Sequence, residues 1–198
     1  FDALALTVDT IVSGKRERCL RSGFTTPPRF SASSLWSYAT RPRWTLDYVF
    51  GPKFRLPNLD GHVQEGSGKS VSIQDYFNTM LDTGMDWDTA ARIRQDWGGP
   101  FALKGIMSVA DARRAVEIGA DAVMISNHGG RQLDGSRAPF DQLREIVDAV
   151  GGEIEIILDG GVRRGTHVLK SVAAGATAAS GGRLYLYALA AAGQAGVE

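Results

Sequence analysis

Residues 101–126, FALKGIMSVADARRAVEIGADAVMIS, read as strand, helix, strand. Phe101-Ala102-Leu103-Lys104 is a short apolar run that stops at a charge and a glycine, Gly105. Ser108, with Asp111 three residues on, starts a helix whose apolar face is Val109, Ala112, Ala115 and Val116, and Gly119 ends it. Ala122-Val123-Met124-Ile125-Ser126 is the second strand. The unit recurs downstream: Pro139 opens a helix with Leu143, Ile146, Val147 and Val150 on one face, Gly151-Gly152 closes it, and Glu153 to Leu158 is a strand. A third helix, with Val168, Leu169, Val172 and Ala173 expected to face inward, stops at Gly175 before the small-residue strand Ala176 to Ser180, and Tyr185 to Ala192 forms a last helix. Upstream, Phe1 to Asp9 alternates like a buried strand.

Single helices between strands imply right-handed crossovers and a parallel, α/β sheet. Each strand ends in a group capable of chemistry: Asp9, Lys104, Ser126 with His128, Asp159, and Gly182-Arg183 just beyond the last. A (β/α)8 barrel builds its active face at the carboxyl ends of its strands, and a doubly wound open sheet binds ligands at the same edge, so the local pattern admits both. A whole barrel takes about 250 residues. The barrel reading therefore makes residues 1–198 the C-terminal part of a TIM barrel, about five strands from the fourth onward, with a long insertion over 25–85 after the first strand present. The start at Phe1, inside a strand and without Met, fits the same expectation of an incomplete chain.

With 43% hydrophobic and 22% charged residues and no net charge, the composition is globular and carries no global field that would favour nucleic acid. One cysteine, Cys19, excludes an internal disulfide, and His62, His128 and His167 are too scattered for a ligand cluster, so no metal is expected. No apolar run approaches the roughly 20 residues of a spanning helix, and the location expected is cytoplasmic. Residues 25–85 break the rhythm: Pro27-Pro28, then Trp36, Tyr38, Trp44, Tyr48, Phe50 and Phe54 among Arg and Lys, then a Gly-rich piece around Gly61 to Gly68. Such a stretch is expected to pack on a neighbouring subunit or its own barrel; the alternative is peripheral contact with the inner face of the membrane.

The loop Ser126-Asn127-His128-Gly129-Gly130-Arg131 carries the most chemistry. His128 can take a proton near neutral pH and Arg131 can hold a carboxylate through its planar fork, which together point to proton abstraction from an anionic substrate. Asp9 is either a cap or strand-end partner, or the carboxylate that orients His128. Lys104 either snorkels from a strand end or stabilises negative charge developing on a cofactor. Asp159-Gly160-Gly161-Val162-Arg163-Arg164-Gly165 lies between a strand and a helix, with glycines that let backbone N–H groups approach a phosphate, and Gly181-Gly182-Arg183 repeats that chemistry one unit later. Ordinary turns with solvated arginines are the alternative to a phosphate cup. His62 and His167 read as surface residues.

As a set, the motifs resemble the FMN-dependent L-2-hydroxy acid oxidase and dehydrogenase family. The resemblance runs over residues 1–24 and about 85–198, through Leu6-Thr7-Val8-Asp9 with Gly14-Lys15-Arg16-Glu17, Leu103-Lys104-Gly105-Ile106, Ser126 to Arg131 with Gln132-Leu133-Asp134, Leu158 to Gly165, and Gly182-Arg183. It implies oxidation of an L-2-hydroxy acid to the 2-oxo acid, with oxygen, a quinone or a cytochrome as final acceptor, in a homo-oligomer when complete. Carried over, it implies that Thr7, Lys104, Ser126, Asp159, Gly160, Gly161, Val162, Arg163, Gly182 and Arg183 contact FMN. His128 would be the base, Asp9 its partner, and Arg131 with Arg16 the carboxylate clamp. Lys104 and His128 are then expected on opposite sides of the flavin ring. Tyr185-Leu186-Tyr187-Ala188-Leu189-Ala190 inclines towards the L-lactate dehydrogenase branch. The chain departs from the family at Gly182-Arg183-Leu184, where Gly-Arg-Pro is common, and residues 1–198 are expected to be without the N-terminal half that in the family supplies further flavin contacts. Against this stands a truncated, non-catalytic phosphate-binding or interaction module derived from such a barrel.

Overall fold

Five parallel strands form one sheet in the order β1-β2-β3-β4-β5, each beside the strand that follows it in sequence. The computed structural model describes residues 1–12, 14, 16–22, 31–52 and 81–198. The strands are β1 Leu4–Thr7, β2 Phe101–Lys104, β3 Ala122–Ile125, β4 Glu155–Asp159 and β5 Ala178–Ser180. A doubly wound sheet reverses its order at a switch point, whereas strands added one after another on one side are the order of a barrel wall. The fold is thus a segment of a (β/α)8 barrel. Contacts divide the chain into two units, Phe1–Lys15 with Leu81–Glu198, and Arg16–Met80.

In the first unit, α4 (Trp87–Trp97), α5 (Val109–Glu117), α6 (Pro139–Val150), α7 (Gly165–Ala173), α8 (Arg183–Ala192) and α9 (Gln194–Val197) accompany the sheet. The local signals explain these bounds. Ser108 caps α5 by accepting from the Asp111 amide, Pro139 stands in the first turn of α6, and Gly119 takes a left-handed φ of 77° after α5. Leu103, Val123, Ile125, Ile156 and Leu158 lie on one face of the sheet with relative exposures of 2% or less, against Leu143 and Ile146 of α6. Each such side chain contributes about 1.5–3 kcal/mol by leaving water. On the alternate positions Ala102, Lys104, Met124 and Ile157 are only half-buried, and that face carries the polar groups at the strand ends.

The inward stripe of α7 differs from expectation. Val168, Leu169, Val172 and Ala173 are exposed, while half-buried His167, buried Ser171 and partly buried Ala174 face the core at helical spacing. Ser171 can be buried because its hydroxyl donates to the His167 carbonyl at 2.7 Å, which removes the cost of an unpaired hydroxyl.

The second unit contains α1 (Glu17–Ser22), α2 (Ala32–Ala39) and α3 (Pro42–Phe50). Ser31 caps α2 by a reciprocal pair of bonds with Ser34, and Tyr38, Trp44 and Tyr48 stack in series with ring centroids 5.7 and 5.2 Å apart. Leu35, Trp36, Leu46, Val49 and Phe50 are exposed. Pro27-Pro28, Phe54, the Gly61 to Gly68 piece with His62, and Lys15 lie outside the described residues. No helix among the described residues is long and apolar enough to cross a membrane.

Candidate active site

Alternation along parallel strands sets Asp9 two residues past Thr7, Ser126 two past Met124, and Asp159 two past Ile157, on the face that also carries Lys104. The side chains meet at the carboxyl ends of the strands. Lys104 Nζ lies 2.9 Å from Asp159 Oδ2 and donates to Ser126 Oγ at 2.9 Å. Ser126 Oγ donates to Asp159 Oδ2 at 2.7 Å and accepts the His128 amide at 3.2 Å. Ser126 is fully buried, and one donation with two acceptances fills the capacity of its hydroxyl inside the protein.

His128 Nδ1 lies 2.8 Å from Asp9 Oδ2, and Nε2 lies 3.4 Å from Lys104 Nζ. The first contact leaves Nδ1–H pointing at a carboxylate, which makes Nε2 the ring's lone-pair atom. The second corrects one expectation. A planar ring standing between two atoms needs about 7 Å, two van der Waals separations. Lys104 and His128 therefore approach any bound ring from the same quarter rather than from opposite sides. Asp9 Oδ1 is buried and has no hydrogen-bond partner among the described residues. Burial pushes the Asp159 carboxyl up, but hydrogen bonds from Ser126 and Lys104 and the Lys104 charge outweigh it and hold the group below the ordinary carboxylate value.

His128 has φ 55°, the one non-glycine residue in the left-handed region among the described residues. Such backbone is tolerated where surrounding bonds over-determine it. Asn127, which the sequence did not single out, accepts the Gly129 and Gly130 amides through Oδ1 at 3.0 and 3.2 Å and donates through Nδ2 to Ser136 Oγ and the Arg137 carbonyl at 3.2 and 3.1 Å. Arg183, at the start of α8, donates to the Gly129 carbonyl at 3.0 Å. Gln132 donates to the Val12 carbonyl at 3.0 Å, and Gly14 packs so tightly on the Arg131 carbonyl that no side chain fits there. Arg131 is half-buried and forms no ion pair with a described residue. Arg16 falls in the other unit and is exposed.

Thr7 pairs in register with Lys104 at the end of β1. In the loop after β4, Gly160 and Gly161 have φ 139° and 72°, Val162 is 9% exposed, and Arg163 is exposed. A Cβ on Gly161 or Gly182 would meet nothing within 4 Å, so both backbones border open space. Bare backbone at both loops, with Arg163 and Arg183 beside them and Lys104 nearby in the cluster, suits a phosphate-bearing cofactor such as FMN. Half-buried His167 has Nδ1 3.2 Å from both the Gly161 carbonyl oxygen and the Arg163 amide; the ring tautomer selects one of the two bonds, and either ties the loop to α7. A cavity of about 520 Å³ lies behind the histidine loop, lined in part by Asn127, Gly130, Phe140, Gly161 and His167, and it does not include Asp9, Lys104 or His128.

Residues 1–198 match the family of FMN-dependent dehydrogenases. The chain is 42% identical over 202 residues to an L-lactate dehydrogenase of Alcaligenes faecalis, covering 98% of this chain and 51% of the relative. An L-lactate dehydrogenase of Pectobacterium atrosepticum is 40% identical over 197 residues, covering 98% and 50%. Among solved structures, the monotopic membrane protein (S)-mandelate dehydrogenase superposes with TM-score 0.86 at 36% identity, over 100% of this chain and 52% of that one. A mandelate oxidase superposes with TM-score 0.70 at 36% identity, over 99% and 47%. The chain spans about half the length of the relatives it matches.

Proposed function

The chain belongs to the family of FMN-dependent dehydrogenases, and from that premise we propose that its protein oxidises an L-2-hydroxy acid, L-lactate, to the 2-oxo acid. The observation that carries the reading is the Asp9–His128 pair, 2.8 Å between Oδ2 and Nδ1, beside a lysine anchored on Asp159. L-lactate is the substrate favoured because relatives of that name reach 40–42% identity, against 36% for the mandelate enzymes.

His128 Nε2 accepts the substrate's proton, and Asp9 holds the ring in that tautomer and offsets the charge it gains. Arg131 holds the substrate carboxylate through paired N–H donors. Thr7, Lys104, Asp159, Gly160, Gly161, Val162, Arg163, Gly182 and Arg183 hold the cofactor, with Ser126 acting through Lys104. FMN supplies the acceptor for the electron pair and second hydrogen that leave the substrate. Lys104, fixed by Asp159 and Ser126, supplies positive charge where reduction adds negative charge. The same histidine serves either order of bond breaking, and the final acceptor is oxygen, a quinone or a cytochrome.

Anaerobic L-lactate should bleach the flavin band of the FMN-loaded protein, and His128→Asn should abolish bleaching while the flavin stays bound. An unchanged spectrum with several 2-hydroxy acids overturns the reading; loss of flavin from His128→Asn reassigns the residue to binding.

A second reading concerns the other unit. Exposed Leu35, Trp36, Leu46, Val49 and Phe50 support peripheral contact with a membrane surface, as does likeness to a protein described as monotopic. Sedimentation with anionic lipid vesicles, reduced by Trp36→Ser with Phe50→Ser, would support it. A dimer or larger mass by light scattering, reduced to the monomer mass by the same two substitutions, would favour a homo-oligomer contact instead.

A further inference from the structure

We propose that Asn127 is a positioning residue that holds His128 in its left-handed backbone and so keeps the base aligned on Asp9; this rests on the reading of His128 as the base. Three successive amides, those of His128, Gly129 and Gly130, are bonded by the side chains of the two residues before the histidine. Successive N–H groups in such a turn would otherwise form a nest for an anion. Here Ser126 Oγ and Asn127 Oδ1 take that place, so the loop is a mount for the imidazole. The Gly130 amide also reaches the Asn127 carbonyl at 3.0 Å, which leaves the Gly129 amide as the one that depends on the Asn127 side chain. Through Nδ2 the same side chain grips the Ser136 hydroxyl and the Arg137 carbonyl, closing the loop from 127 to 137 on itself. All the hydrogen-bonding capacity of the amide is directed at the loop and none at the reaction centre. A left-handed histidine costs free energy on its own, and these bonds oppose its relaxation.

The test compares Asn127→Ala with Asn127→Asp in the FMN-loaded protein. A carboxylate still accepts the Gly129 amide but can donate to neither the Ser136 hydroxyl nor the Arg137 carbonyl, so it isolates the accepting half of the side chain. Asn127→Ala should lower kcat by about tenfold or more, the scale expected for a misplaced catalytic group. KM should stay within about threefold and the flavin bound. Hydrogen exchange at the Gly129 amide, read by NMR with or without FMN, should accelerate by about tenfold or more in Asn127→Ala. Asn127→Asp should restore most of both. Parental kcat and exchange in Asn127→Ala overturn the proposal, as does an Asp variant as impaired as the Ala variant. If Asn127→Ala loses its fold, Asn127→Asp decides alone: slow Gly129 exchange with near-parental kcat supports the mount, and loss of both overturns it. Failure of the underlying reading looks different, since His128→Asn would then still allow bleaching.

Discussion

His128 Nδ1 and Asp9 Oδ2 lie 2.8 Å apart although 119 positions separate the two residues. β2 stands between their strands, so the contact passes over the end of that strand, beside Gly105. The pairing leaves Nε2, 3.4 Å from Lys104 Nζ, as the ring nitrogen that carries the lone pair.

Asp9→Asn keeps the shape and removes the charge. An amide that turns its NH2 towards Nδ1 forces the proton onto Nε2 and takes away the lone pair that would accept the substrate's hydrogen. The expected result is a fall in kcat of roughly 10²–10⁴-fold with flavin retained, measured as the rate of anaerobic bleaching by L-lactate.

Gly105→Ala tests the same contact from the other side. At φ 104° an added Cβ would lie 2.7 Å from both Asp9 Cγ and Oδ1. Backbone strain and displacement of the carboxylate should together cost about 1–3 kcal/mol, read as a lower urea midpoint, with a parallel drop in kcat.

Arg131→Lys should raise KM for L-lactate by about tenfold and leave kcat less affected, because an ammonium cannot make the paired contact with a carboxylate. Steady-state kinetics with unchanged KM would remove Arg131 from the substrate site.

Lys104→Met should change how stability follows pH. In the parent, the Asp159 carboxyl sits below its ordinary value of 3.8, so its contribution is complete above that pH and is lost as pH falls through the lower folded value. Without Lys104, burial is opposed chiefly by Ser126, and a charged Asp159 becomes a burden at neutral pH. The Tm gap between parent and variant should be widest near pH 7 and narrow on acidification; a gap independent of pH would contradict the coupling.

Much of the first unit was legible from local signals. Phe101–Lys104 matches its strand at both ends because a charge and a left-handed glycine, Gly105 at φ 104°, follow directly, and Ser108 and Pro139 mark helix starts by chemistry that needs no partner. The convergence of Asp9, Lys104, Ser126, His128 and Asp159 was legible from strand ends and period-two alternation. The inward face of α7 was not, since Ser171 is buried through a bond to its own helix and hydropathy counts it as polar. Asn127 was missed for a related reason: a side chain spent on its own loop has the same composition as one spent on water. The relative placement of Lys104 and His128 depends on side-chain reach across β2 and β3, which no strand pattern encodes.

The contacts at the strand ends skip alternate strands. Asp9 after β1 meets His128 after β3, whose neighbour Gly129 receives Arg183 from beyond β5, while Lys104 of β2 meets Asp159 of β4. Ser126 touches both series. Interlocking of this kind makes the cluster a proofreader of strand alignment: slipping β3 by one residue turns Ser126 to the opposite face, and both series part together. A misthreaded sheet would thereby lose the side-chain cluster at its strand ends along with its pairing.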